Sequence, residues 1–128
     1  MAEWQYYNPS PVNRSVGDCA VRALTKALGV DWETAYTRLA IGGYQMADMP
    51  SSNAVIAAVL RQAGFYRHII PNTCPDCYTI SDFADDQPDG LYIVGTGNHI
   101  VVVEDGTVFD SWNSLGEIPI FYWSKEAE

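Results

Sequence analysis

Three places in the chain hold residue types that could act together on a carbonyl group. Cys19 follows Gly17-Asp18 and opens a run of helical spacing that continues to Leu28. A cysteine at a helix N-terminus meets the positive end of the helix dipole and unpaired backbone N–H groups, both of which favour thiolate over thiol. Gly17 permits a sharp turn at that point, and Asp18 is expected to cap the helix. His99, preceded by Asn98, heads the apolar run Ile100-Val101-Val102-Val103. In a strand it would share a face with Val101 and Val103. Asp110 ends the run Thr107 to Asp110 and is followed by Ser111-Trp112. Glu104-Asp105-Gly106 between these two runs reads as a tight hairpin turn. Such a turn sets Asp110 close to the register of His99 to Val101, with cross-strand Cβ atoms ~5 Å apart. An aspartate there can accept the imidazole N–H and fix the tautomer.

Each residue also has a plainer role. A cysteine on an apolar helix is commonly a buried filler, a lone strand histidine a satisfied core residue, and Asp-Ser-Trp a turn. Taken together, in this order and each at the end of an element, they match the thiolate–imidazolium arrangement of nucleophilic catalysis.

The elements that must position these residues divide the chain in two. Trp4 to Pro9 reads as an extended arm pinned by aromatic side chains, kept non-helical by Pro9 and Pro11. Cys19 to Leu28 carries Val21, Leu24 and Leu28 on one stripe and is closed by Gly29. Asp31 caps a second helix whose apolar face is Trp32, Ala35, Tyr36 and Leu39, stopped by Gly42-Gly43. A loop then runs from Tyr44 to Met49, and the stretch from Gly42 to Asn53, with Met46 and Met49, is expected to border the cleft. Ala54 to Ala63 is a third helix. The second half changes period: Tyr66 to Ile70, Leu91 to Val94, His99 to Val103, Thr107 to Asp110 and Ile118 to Trp123 read as strands, with a short helix over Thr79 to Ala84 capped by Ser81. Helices first and antiparallel strands second predict an α+β fold in one domain over residues 1–128.

Bulk properties exclude some functions. A net charge of −9, with only seven Lys and Arg, argues against nucleic acid as the main partner, since phosphate binding needs clustered cations. No apolar stretch approaches bilayer length and no secretory signal opens the chain, so no membrane partner is expected. Three cysteines make an odd count, which points to a reducing, cytoplasmic compartment rather than a disulfide scaffold. Cys74-Pro75-Asp76-Cys77 reads first as a tight loop with two reduced thiols, second as a reversible local disulfide and third as part of a metal site. Zinc would need four ligands, and His68 is the only further candidate nearby, read as a partly exposed strand residue. The Asp82, Asp85, Asp86 and Asp89 run lacks the alternation and closing Glu of a calcium loop and reads as solvated surface. No metal and no cofactor are expected. Gly95-Thr96-Gly97 is too short for a phosphate loop and reads as a bend beside the site.

The helix-borne cysteine, the histidine opening an apolar strand and the downstream Asp110-Ser111-Trp112 resemble the papain-like cysteine peptidase superfamily. Papain-type enzymes carry glutamine six residues before the cysteine, where this chain has Asn13, and Asn-Ser-Trp where it has Asp110-Ser111-Trp112. Asp18-Cys19 and the His99…Asp110 pair are also similar to bacteriocin-processing leader peptidases of the same superfamily. The resemblance implies a papain-like fold, with the nucleophile on the first helix and an antiparallel sheet carrying the histidine and aspartate. It implies that Cys19 attacks an amide carbonyl of a peptide or small amide, His99 serves as acid and base, and Asp110 orients His99. The Asn13 amide and the Cys19 N–H would form an oxyanion hole worth ~3 kcal/mol per donor, with Trp112 shielding the His–Asp contact. Bacterial or phage origin is implied only by that likeness. Hydrolysis and acyl transfer stay open, as do a non-catalytic binding module of this fold and a redox or metal protein using Cys74 and Cys77.

Overall fold

The computed structural model describes residues 2–14 and 16–126; Met1, Ser15, Ala127 and Glu128 lie outside them. It is mixed α+β, with β1 (Glu3–Tyr6), α1 (Cys19–Leu28), α2 (Trp32–Met46), α3 (Asn53–Gln62), β2 (Tyr66–Ile69), α4 (Ile80–Asp86), β3 (Leu91–Gly95), β4 (Ile100–Glu104), β5 (Thr107–Asp110) and β6 (Phe121–Ser124). The six strands form one sheet in the order β1-β5-β4-β3-β6-β2.

Strand β4 explains the central layer. Its Ile100 and Val102 pack with α1 to α3 on one side of the sheet, through Leu24, Leu39, Val55 and Leu60. Its Val101 and Val103 pack with Ile80 and Phe83 of α4 on the other. A strand covered on both faces must be apolar without interruption, which is why Ile100 to Val103 carries no polar residue. The hairpin turn lies where expected: Asp105 and Gly106 both have positive φ, at 50° and 79°, and Glu104 pairs with Thr107 and Val102 with Phe109.

Several boundaries differ from the sequence reading. The sheet is not wholly antiparallel, because β1 runs parallel to β5, with Tyr6 paired to Asp110; the aromatic arm is an edge strand. Gly42-Gly43 does not end α2, which runs to Met46 and is capped by Ala47. The two glycines serve close approach instead. A Cβ on Gly42 would meet Val55 Cγ1 at 3.2 Å and one on Gly43 the Asp48 carbonyl at 2.8 Å, so side chains here would push away α3 and the returning loop. Helix α4 is capped by Thr79, not Ser81, through a reciprocal pair with Asp82. The last strand begins at Phe121 rather than Ile118. His68 is buried, stacked on Tyr122 with ring centroids 4.6 Å apart and bonded to Ser124. Cys74 and Cys77 form a disulfide, so the reading of two reduced thiols does not hold, and both sulfurs are taken up. Among the described residues no group of three or more metal-ligating side chains comes together, and no helix is long and apolar enough to cross a membrane.

Candidate active site

Cys19 is the first residue of α1, with Asp18 at the N-cap position. Asp18 does not cap with its side chain; that carboxylate is buried against the Arg22 guanidinium and accepts the Trp32 indole N–H at 3.0 Å. The charge of Asp18 is thereby engaged by a cation one helical turn along, rather than left facing the thiol. His99 stands one residue ahead of β4, at the sheet end, where strand alternation no longer dictates its direction. From there it hydrogen-bonds the Cys19 side chain, although α1 packs on the Ile100–Val102 side of the sheet.

On its other side His99 meets Asp110, with Nε2 2.7 Å from Oδ2. Because Nε2 faces the carboxylate, Nδ1 is the ring atom left to serve the sulfur. Asp110 is only 1% exposed and is held from several directions. Arg22 donates to its Oδ1 at 3.1 Å, the Ser111 N–H to the same atom at 2.7 Å, and the Ser114 hydroxyl to Oδ2 at 2.8 Å. Its backbone carbonyl accepts from the Tyr7 N–H at 2.8 Å and the Trp4 indole at 3.2 Å. The amino-terminal strand thus clamps the residue that orients the imidazole. The result is a line of alternating charge, Asp18–Arg22–Asp110–His99–Cys19, running from the interior to the sulfur.

The electrostatics follow from this line. Burial opposes ionisation of Cys19, but the hydrogen bond with His99, the Ile100 backbone N–H and the positive charges of His99 and Arg22 outweigh it and hold the thiol below its ordinary range. Burial likewise opposes charge on His99, yet its hydrogen bonds to Asp110 and Cys19 and their negative charges raise the imidazole to about 9. Asp110 is lowered: burial works against it, and the bonds from His99 and Ser114 prevail. Both directions favour the thiolate–imidazolium pair over the neutral one.

Beside the sulfur lies a cavity of about 310 Å³, lined by Gly17, Asn53, Thr96, Asn98 and Phe121 among others. The Thr96 N–H donates to the His99 carbonyl at 2.8 Å, closing the turn that presents His99. Gly95 is required there, since a Cβ would lie 2.2 Å from the Phe121 ring. Trp112 packs against the His99 ring at 4.8 Å between centroids, while remaining 43% exposed, so it covers one side only.

Of the residues expected from sequence, Cys19, His99 and Asp110 come together, Gly17 and Asn98 line the cavity, and Asp18 lies behind it. Asn13 does not join them: it is exposed, has a positive φ of 52°, and is not among the cavity-lining residues. The amide side chains that line the cavity are those of Asn53 and Asn98. Sequence reasoning missed Arg22 and Ser114. A signal existed for both: Arg22 interrupts an apolar helix four residues after Asp18, and Ser114 follows Asp110 by four. No family model matches this chain, and neither a curated protein nor a solved structure does.

Proposed function

We propose that this protein is a papain-like cysteine hydrolase acting on an amide bond, with Cys19 as nucleophile, His99 as acid–base and Asp110 as the group orienting His99. The observation that carries this reading is His99 held between the Cys19 side chain and the buried Asp110 carboxylate at the edge of a cavity. In the reaction, Sγ forms a bond to the carbonyl carbon while the Cys19 backbone N–H, free at the start of α1, supports the developing oxyanion. His99 gives its proton to the leaving nitrogen as the C–N bond breaks. A water then attacks the thioester, its proton passes to His99, and the thiolate departs. Arg22 touches none of the reacting atoms; it is a positioning residue that holds the Asp110 carboxylate toward His99.

The test is cleavage of a diverse peptide mixture, read by mass spectrometry as new termini. Wild-type protein is expected to generate them, while folded Cys19→Ala and His99→Ala proteins do not. Cleavage that survives Cys19→Ala would refute the assignment.

A further inference from the structure

The Cys74–Cys77 disulfide closes the loop between β2 and α4, with Cys74 exposed and Cys77 half-buried. A series of hydrogen bonds leads from this loop to the candidate active site. Directly after the loop, Thr79 caps α4, and the first two helical residues turn their N–H groups on the segment that follows Asp110. Ile80 donates to the Glu117 carbonyl and Ser81 to the Leu115 carbonyl, both at 2.9 Å, and the Glu117 N–H returns to the Ser114 carbonyl at 3.0 Å. Ser114, wholly buried, is the residue whose hydroxyl holds Asp110 Oδ2. Within the loop, the Thr73 hydroxyl donates to the Asp76 carbonyl at 2.9 Å and accepts the Tyr78 N–H at 3.0 Å, and the Asn72 side chain accepts the Cys74 N–H at 3.0 Å. All three bonds are exposed, so water competes for them. They can bring the two sulfurs back together after the S–S bond opens, but they do not fix the loop as the covalent link does. An accessible disulfide of C-x-x-C spacing is open to exchange with a thiol.

Resting on the Cys19–His99–Asp110 reading above, we propose that Cys74–Cys77 is a thiol–disulfide exchange site, opened by a dithiol reductant, whose oxidised state keeps Cys19 reactive by way of Ser114. A thiolate of the reductant attacks the accessible Cys74 Sγ, the S–S bond breaks and Cys77 leaves as thiolate. The reductant's second thiolate then displaces Cys74 from the mixed disulfide. Two electrons and two protons pass to the cysteine pair, and the reductant ends as an intramolecular disulfide. The opened loop frays, the entry to α4 loosens its hold on residues 114–117, and Ser114 holds Asp110 less firmly. A less anchored carboxylate supports the imidazolium less, and the thiolate loses part of its stabilisation with it.

The test treats the folded protein with dithiothreitol, removes the reductant, and follows iodoacetamide labelling of each cysteine by peptide mass spectrometry. Dithiothreitol is expected to open Cys74 and Cys77 to labelling while circular dichroism stays native, and air oxidation in place of labelling should restore the disulfide. At a pH below the Cys19 midpoint, the Cys19 rate constant should be roughly threefold or more lower in the reduced protein than in the oxidised one. Cys74→Ser/Cys77→Ser should match the reduced protein without any reductant. In Ser114→Ala the two redox states should label Cys19 alike, because the bond that relays the change is gone. A disulfide that resists dithiothreitol until the protein unfolds overturns the exchange site and spares the hydrolase reading. Equal Cys19 rate constants in the two wild-type states also overturn the proposal and leave that reading standing, as does a difference that persists undiminished in Ser114→Ala. A Cys19 that titrates at the ordinary ~8.5 in every state sinks both.

Discussion

At the scale of single residues, the chemistry rests on His99 having two different neighbours. Its bond to Asp110 keeps a proton on Nε2 and directs Nδ1 at the sulfur, so the two bonds fail in different ways when removed. Asp110→Asn leaves a neutral amide that no longer stabilises the imidazolium, and turnover is expected to fall roughly 100- to 10,000-fold. Cys19 should still be alkylated in that variant, with a pH midpoint shifted upward, because its main partner is less often charged. Steady-state cleavage and alkylation rates on the same preparation check both halves. The raised imidazole also bounds the reaction from above. His99 must be protonated to release the amine, so activity should decline as pH rises through about 9, and a pH–rate profile reads this directly.

At the scale of elements, helix α1 and the β4–β5 hairpin are joined by Arg22, a buried cation reaching Asp18 on its own helix and Asp110 on the hairpin. Removing one partner of a buried ionic cluster leaves the others desolvated and unpaired. Arg22→Met is therefore expected to destabilise the fold by about 3–5 kcal/mol, measured by urea unfolding, since two carboxylates lose their shared cation. Arg22→Lys should lie between, because one ammonium cannot fork to two carboxylates. Gly95→Ala forces a Cβ into the Phe121 ring; a loss of about 1–3 kcal/mol is expected, measured the same way. Much at this scale was legible in the sequence. Period and punctuation placed α1, the Asp31 cap, the Asp105-Gly106 turn and the short distance between His99 and Asp110, because each is a local matter of spacing and turn chemistry. What was not legible depended on partners remote in sequence. Gly42-Gly43 reads as a stop until α3 and the loop after Met46 are seen pressed against it. A parallel edge strand cannot be told from an arm when its partner lies more than 100 residues away. Arg22 shows its Asp18 spacing in the sequence, but its second carboxylate, Asp110, is 88 residues away and appears only in the fold. Asn13 was placed by analogy alone, and it is exposed and is not among the residues lining the cavity.

At the scale of the whole molecule, the same charge line couples the site to pH-dependent stability. His99 has a folded value of about 9 against ~6.5 unfolded. Its raised value stabilises the fold fully below ~6.5, and the contribution drains away as pH rises through about 9. Asp110 is lowered in the fold, so its contribution is complete above ~3.9 and is lost as pH falls through its folded value. The lowered Cys19 acts in the direction opposite to His99, adding stability as pH rises to ~8.5 and masking part of the alkaline loss. In Cys19→Ala, where Asp110 still holds the imidazole up, thermal unfolding should therefore show a steeper loss of melting temperature between pH ~6.5 and ~9 than in the wild type.

The most direct measurement of the central claim is the pH dependence of iodoacetamide labelling at Cys19, followed by mass spectrometry in wild type and His99→Ala. If imidazolium and thiolate share the proton as their geometry indicates, the wild-type midpoint lies below the ordinary ~8.5 of a cysteine. In His99→Ala its midpoint climbs toward ~8.5, the ordinary value for a cysteine. A wild-type midpoint at that ordinary value, unmoved by loss of the imidazole, would contradict the account.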